Sequence, residues 1–257
     1  GLQPVGLHAQ IGLGGLQPAS LVIVACRPSM GKSSFSHNVA GYASIKNNQA
    51  TAIFSLEMSK AEVAMRIISS EAAVDSEKIK RGEISEEFER LNSTMTLLEK
   101  APLYIDDTAG ISVAEVRSKC RRIKDLKLVI IDYLTLMSSP GRKTENRQQE
   151  VSELSRQLKV LARDLNVPIM VLAQLSRGAA TRSDHTPVLS DLRESGAIEQ
   201  DADVVMFIHR PAYYTDSQEQ DKTLAQIIVA KQRNGATGSI ELTWKAEFTR
   251  FVDRSYR

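Results

Sequence analysis

Cysteine is nearly missing from this chain: Cys26 and Cys120 are the only two in 257 residues. With no secretory pattern at the N-terminus, so small a number excludes a disulfide framework and fits a reducing, cytoplasmic compartment. No apolar run approaches the ~20 residues that a membrane-spanning helix needs, so no membrane is expected as a partner. An excess of one charge is also lacking, since 33 Lys and Arg face 31 Asp and Glu for a net charge of +2. That balance gives no chain-wide attraction to nucleic acid, and any such binding must come from a local cluster. Internal repeats and low-complexity tracts are absent as well. The chain opens at Gly1-Leu2-Gln3-Pro4 without Met, which reads as an excised piece of a longer protein. What remains is an ordinary globular composition, 42% hydrophobic, of a length suited to one large α/β domain or two small ones.

Short apolar runs alternate with helix-period segments, the pattern of a parallel sheet with crossover helices. Strands are expected at 21–26, 51–56, 103–106, 128–132, 169–173 and 204–209. Each is a continuous apolar run, as for strands covered on both faces. Past Leu224 the pattern changes, and 225–230, 239–244 and 248–253 read as a closing antiparallel meander. Ser59-Lys60-Ala61-Glu62 and Ser112-Val113-Ala114-Glu115 are capping boxes that open helices. Near 147–165, Val151, Leu154, Leu158, Leu161 and Leu165 recur at steps of three and four. That spacing is one apolar stripe facing a core, and it marks packing, not a site. Two irregular stretches, 138–146 and 176–189, follow expected strands at the end where open parallel sheets place ligands.

The run LVIVACRPSMGKSSF reads strand, loop, helix. Backbone N–H groups of such a loop, and the start of the helix behind it, face a polyanion and stabilise it. The expected phosphate-holding residues are Arg27, Pro28, Ser29, Met30, Gly31, Lys32, Ser33 and Ser34. Gly31 lets the backbone approach closely, Lys32 reaches the β- and γ-phosphates, and Ser33 places a hydroxyl on Mg²⁺. The usual glycine five residues before Gly31 is replaced by Cys26. Cys is small, so the turn still forms provided φ there is not positive.

Further residues complete an ATPase pattern. Val129-Ile130-Ile131-Asp132 is an apolar strand ending in a carboxylate, the form that holds a Mg²⁺ shell. Glu57 closes Phe54-Ser55-Leu56-Glu57-Met58, where a carboxylate beside the γ-phosphate polarises the attacking water. Gln174 ends the strand 169–173, and a neutral amide there senses the γ-phosphate. Asp106 and Asp107 also end a strand but are read as structural.

With these residues placed, the chain resembles the ATPase domain of DnaB-type hexameric replicative helicases. The resemblance rests on 27–32, on Ser55-Leu56-Glu57-Met58-Ser59, on Ile131-Asp132-Tyr133-Leu134, on 191–203 and on Lys231-Gln232-Arg233-Asn234-Gly235. These signatures occur in the family's order and cover the chain from about Gly15 to its end. The resemblance implies a RecA-like P-loop fold, a mostly parallel sheet flanked by helices with antiparallel strands at the C-terminus. It implies one ATPase domain over 1–257, with 1–14 as a linker and the family's N-terminal collar domain absent. It makes Glu57 the catalytic base, and Lys231 and Arg233 the cations that reach a neighbouring subunit's ATP, Arg233 as the arginine finger. It places Arg193, Glu194 and Gly196 on a channel-lining loop that meets the DNA backbone. ATP and Mg²⁺ follow as cofactors. Single-stranded DNA and a homohexameric ring follow as partners, along with primase and a helicase loader that need the collar.

The segment 176–196 carries Arg177, Arg182 and Arg193 among small residues, with no Phe, Tyr or Trp. Stacking on bases is not available there, whereas sequence-neutral phosphate contacts are. The expected function is therefore a helicase motor that travels 5′ to 3′, the direction resting on the resemblance alone. A RecA-like strand-exchange ATPase is the alternative on the same fold. A metabolic P-loop kinase is the third reading, for which no acceptor-binding signature is seen.

Overall fold

The computed structural model describes residues 16–132, 134, 137, 147–176, 182, 184–214 and 221–254, with backbone alone for 147–148 and 193–197. The expected stretch 138–146 and the residues Tyr133 and Arg177 lie outside them.

Nine strands form one sheet. They are β1 (Leu21–Cys26), β2 (Ala50–Ser55), β3 (Leu103–Asp106), β4 (Leu126–Asp132), β5 (Ile169–Gln174), β6 (Val204–His209), β7 (Leu224–Gln232), β8 (Gly238–Lys245) and β9 (Arg250–Asp253). Their spatial order is β3-β2-β4-β5-β1-β6-β7-β8-β9. The first six are parallel to one another and the last three antiparallel, so the expected change of pattern past Leu224 is a change of strand direction.

The central strands are apolar throughout because both faces are covered. In β1, Leu21, Ile23 and Ala25 enter one core, and Val22, Val24 and Cys26 enter the other. This is the period-2 alternation of a strand, with neither face left to water. Helices α1 (Lys32–Gly41) and α2 (Lys60–Ala72) cover the Val22 face. The opposite face is covered by α5 (Val113–Cys120) and α6 (Arg147–Leu165). The α6 stripe Val151, Leu154, Leu158 and Leu161 is buried in that core, with Leu165 packed against it.

Two expectations need correction. β3 is an edge strand, with Tyr104 47% exposed, so its apolar run is covered on one side only. Phe248 lies in a short 3-10 turn, Ala246–Phe248, and β9 begins at Arg250. Helices α3 (Ser76–Arg81) and α4 (Phe88–Lys100) form a small satellite unit around Ala72, Val74 and Leu91. Their apolar spacing is too sparse to announce them. The segment between β5 and β6 ends in a 3-10 stretch, Leu189–Ser195, running into α7 (Gly196–Asp201). Among the described residues, no helix is long and apolar enough to cross a membrane.

Candidate nucleotide site

The site begins where β1 stops. After Cys26 the chain turns through Ser29 at φ 64° and Gly31 at φ 96°, then opens α1 at Lys32. Buried Met30 pins the turn, and the Phe35 N–H donates to the Gly31 carbonyl at 2.9 Å. No side chain caps this end of α1, and its first turn carries no acid. The positive end of the helix dipole therefore faces the cleft unneutralised, which suits a phosphate. Gly31 is required twice over. Its φ is left-handed, and a Cβ would sit 2.8 Å from Phe251 Cζ.

Cys26 answers the question raised by the missing glycine. It is the last residue of extended β1 and has no positive φ, so a small side chain suffices. Burial pushes its thiol up to about 12, against the pull of Lys32. It is a small apolar plug, not a reactive thiolate.

Lys32 Nζ lies 3.4 Å from Asp132 Oδ1. Asp132 ends β4 and is buried, and neither of its carboxylate oxygens has a hydrogen-bond partner. A buried carboxylate with unfilled acceptor sites fits a hydrated cation beside it. Among the described residues, no group of three His, Cys, Asp or Glu side chains gathers to hold a metal. A divalent cation here would share its ligands with phosphate oxygens, as Mg²⁺ does.

A cleft of about 480 Å³ opens above the loop. Its walls include 27–29, 31–34, Glu57 and Gln174, so the residues expected on one side of the nucleotide meet in one place. Parallel pairing explains the meeting. Cys26 is in register with Gln174, Ser55 with Asp132, and β4 lies beside β5 with Ile131 opposite Val171, so all four strands finish at the same end of the sheet. The Leu56 N–H donates to the Asp132 carbonyl at 2.6 Å, which sets Glu57 just beyond the sheet.

The same walls include three residues the sequence reading missed: Arg66, Trp244 and Thr249. Arg66 had a signal. It lies four residues after Glu62 on α2, on the face of that helix's Ser59 cap. Trp244 and Thr249 come from the C-terminal hairpin, over two hundred residues along the chain. The Asn38 side chain ties that hairpin to α1, accepting from the Phe251 N–H at 2.8 Å. Phe35 meets Phe251 edge to face at 5.9 Å. Arg210 crosses the Trp244 ring at 5.1 Å and donates to the Ser29 carbonyl at 3.4 Å. Behind the loop, α1 buries His37 with both ring nitrogens unpartnered. Burial pushes its pKa down to about 4, Asp132 opposing.

Lys231 and Arg233 are elsewhere. Antiparallel pairing sets Gln232 beside Val204, at the start of β6, while the phosphate loop follows the opposite end of β1. The four steps from Val22 to Cys26 alone span roughly 13 Å. Lys231 donates to the carbonyls of Glu199 and Gln200. Arg233 donates to the Gln200 carbonyl at 2.8 Å and pairs with Asp203 at 3.6 Å. Both cations thus cap the C-terminal end of α7. They stand near a second cleft, of about 710 Å³, whose lining includes Lys159, Arg163 and Arg233.

Of the expected DNA contacts, Arg193 and Glu194 lie in the 3-10 stretch and Gly196 opens α7. Arg182 grips both carboxylate oxygens of buried Asp191 and donates to the Thr186 carbonyl. Its guanidinium is engaged in holding the loop's own shape. Asp106 and Asp107 are structural: Asp106 pairs with Lys119, and Asp107 accepts from the Lys60 N–H at 2.9 Å.

A strand–loop–helix phosphate cradle, a carboxylate at the next-but-one strand end and a mostly parallel sheet define a P-loop nucleotide-binding domain of RecA-like architecture. The model of the DnaB-like helicase C terminal domain matches residues 8–253, and the chain belongs to that family. It is 46% identical over 247 residues to the replicative DNA helicase DnaC of Bacillus subtilis, covering 95% of this chain and 54% of that protein. It is equally similar, at 46% over the same length and coverage, to the replicative DNA helicase DnaB of Geobacillus stearothermophilus. A DnaB-like replicative helicase solved for its interactions with primase superposes with a TM-score of 0.89 at 36% identity, covering 94% of this chain and 59% of that one. A second solved structure, of an ATPase domain alone, gives the same score and identity over 94% of this chain and 87% of that one. The chain spans about half the length of the curated relatives it matches. These relatives favour the helicase branch over strand exchange.

Proposed function

We propose that this chain is the motor domain of a ring-forming replicative DNA helicase, hydrolysing ATP at the interface between two copies. One observation carries the reading. The loop, Lys32, Ser33, Asp132, Glu57 and Gln174 meet at one end of the sheet, whereas Lys231 and Arg233 stand at the other. These two cations are too far away to serve their own protomer's phosphates, so a second copy must present them.

The chain's residues then divide the work. The α1 N-terminus and Lys32 hold the β- and γ-phosphates, and Arg66 adds a third positive element on the same wall. Ser33 and Asp132 hold Mg²⁺, which when bound neutralises phosphate charge. Glu57 orients and deprotonates the attacking water, and Gln174 reads the γ-phosphate. Trp244 and Thr249 extend the cleft for the nucleoside. Arg233 from the neighbour offsets charge in the transition state, worth ~10³–10⁵ in rate. The segment carrying Arg193, Glu194 and Gly196 grips the backbone of one DNA strand, and cycling around the ring moves that strand. Residues 1–257 act as one ATPase domain, with 1–14 as its linker. Primase and loader contacts, implied by the resemblance to DnaB-type helicases, need that family's N-terminal collar domain.

The test mixes two inactive variants. Lys32→Ala and Arg233→Ala should each abolish DNA-stimulated ATP hydrolysis, with nucleotide still bound by Arg233→Ala. A mixture should regain activity, because an Arg233→Ala protomer's phosphate loop can meet a Lys32→Ala protomer's finger. Full activity of Arg233→Ala alone, or a mixture as dead as its components, would remove the shared-site reading.

A further inference from the structure

Asp203 lies just before β6, where β1, α6 and the end of β7 meet. Its N–H donates to the Leu21 carbonyl at 2.9 Å, and its Oδ2 accepts from the Leu21 N–H at 2.7 Å. These two bonds fasten it to the first residue of β1. The same Oδ2 pairs with Lys159 Nζ of α6 at 2.5 Å, and Lys159 also donates to the Ala19 carbonyl at 3.0 Å. On the other side, the Asp203 carbonyl accepts from the Arg233 N–H at 2.9 Å, and Asp203 Oδ1 lies 3.6 Å from Arg233 Nη1. Arg233 Nη2 donates to the Gln200 carbonyl at 2.8 Å. One carboxylate therefore stands between two cations, Lys159 on one oxygen and Arg233 on the other.

The exposure of the three side chains separates their roles. Lys159 and Asp203 are 14% and 17% exposed, whereas Arg233 is 45% exposed. The inner pair is an anchor, and the outer cation is the one a second molecule can reach. Arginine is long and has many rotamers, and a cation that acts on another protomer loses rate when its placement is loose. Asp203 restrains Arg233 at both ends, at its backbone N–H and at its guanidinium. Lys159 offsets the carboxylate's charge where little water reaches it. Capping of α7 accounts for the bonds of Lys231 and Arg233 to the Glu199 and Gln200 carbonyls. It does not account for a carboxylate at the finger, or for a second cation behind that carboxylate.

We infer that Asp203, backed by Lys159, holds Arg233 in the position from which it meets a neighbouring copy's nucleotide. Asp203 and Lys159 are positioning residues: they act on the reaction only through Arg233. That role rests on the function proposed above and adds to it the group that aims the finger.

The test asks on which side of the shared site Asp203 acts. Asp203→Asn keeps the backbone bonds and an acceptor for the Leu21 N–H, but drops the charge that Lys159 and Arg233 share. In the whole chain, kcat for ATP with single-stranded DNA should fall about 10–100-fold, while affinity for a fluorescent nucleotide stays within about 2-fold. Mixed with Lys32→Ala, whose finger side is intact, Asp203→Asn should regain turnover. Mixed with Arg233→Ala, which is defective on the same side, it should gain nothing. The double variant Asp203→Asn/Lys159→Met leaves no unpaired ammonium behind, and it should show the same fall and the same pattern of rescue. Wild-type kcat in Asp203→Asn, with Arg233→Ala inactive, would overturn the inference and leave the proposed function standing. So would a fall in kcat that Lys32→Ala does not rescue in either variant, the mark of a purely structural role. Full activity of Arg233→Ala would remove both.

Discussion

Gly31 and His37 show how differently single residues of one loop-and-helix unit are constrained. Gly31→Ala must adopt a left-handed φ and push Phe251 aside, at a backbone cost of about 1–3 kcal/mol before the clash. It should fold less stably and lose nucleotide binding, seen together in a thermal melt and a fluorescent-nucleotide titration. His37 is constrained by charge instead. Its folded pKa of about 4 lies below the ordinary 6.5, so between those values the unfolded chain binds the extra proton. Folding stability contributed by the neutral ring is therefore complete above pH 6.5 and falls as pH drops toward 4. The full loss is about 3 kcal/mol, an order-of-magnitude value. His37→Leu should flatten that acid-side decline, checked by denaturant midpoints from pH 7 to pH 4.5. An unchanged slope would mean that His37 is not the group being charged.

Among elements, the helix starts carry the sharpest local physics. In α2 and α5, Ser59 and Ser112 each accept from the N–H three residues on, and Glu62 and Glu115 return the bond. Ser112 is not among the residues that line the cleft, and Ser112→Ala should cost about 1 kcal/mol and lower Tm by about 2–4 °C. Turnover should not change; a loss of ATPase activity in a fully folded Ser112→Ala protein would contradict this placement. α1 is the deliberate opposite, a start left uncapped for an anion. The 189–201 segment is held at both ends, by Arg182 on Asp191 and by Lys231 and Arg233 on the carbonyls of α7. The segment proposed to meet DNA thus also touches the two cations proposed to reach a neighbour's nucleotide.

For the molecule as a whole, DNA binding has to come from local cations, since the net charge is only +2. Oligo-dT affinity should fall linearly in log–log plots against salt, with a slope of about −0.7 per phosphate neutralised. Arg193→Ala should make that slope shallower by about 0.7 for each protomer in contact, with no change in preference among base sequences. A slope unaltered by the substitution would take Arg193 off the backbone. The same scale bears on the proposed shared site. With the phosphate loop at one end of the sheet and Lys231 and Arg233 at the other, the proposed catalytic set is complete only when copies sit side by side.

Much of this was legible in the chain. The six parallel strands, the closing meander, both capping boxes and the phosphate loop with Lys32, Asp132, Glu57 and Gln174 were read from local patterns. Period, cap chemistry and strand-end position are short-range, and parallel strands bring their C-terminal ends together by construction. The sparse helices α3 and α4, the half-covered edge strand β3 and the short turn before β9 were not legible, because neighbours far along the chain decide their burial. Arg66, Trp244 and Thr249 reached the cleft only through packing of α2 and the C-terminal hairpin against α1. The tertiary structure also turned Arg182 inward onto Asp191 and tolerated Cys26 where a glycine is usual. The sequence alone determined which chemistry is present, since residue type and spacing carry it. Only the fold decided which end of the sheet each charge occupies, because strand order and direction are set by long-range pairing.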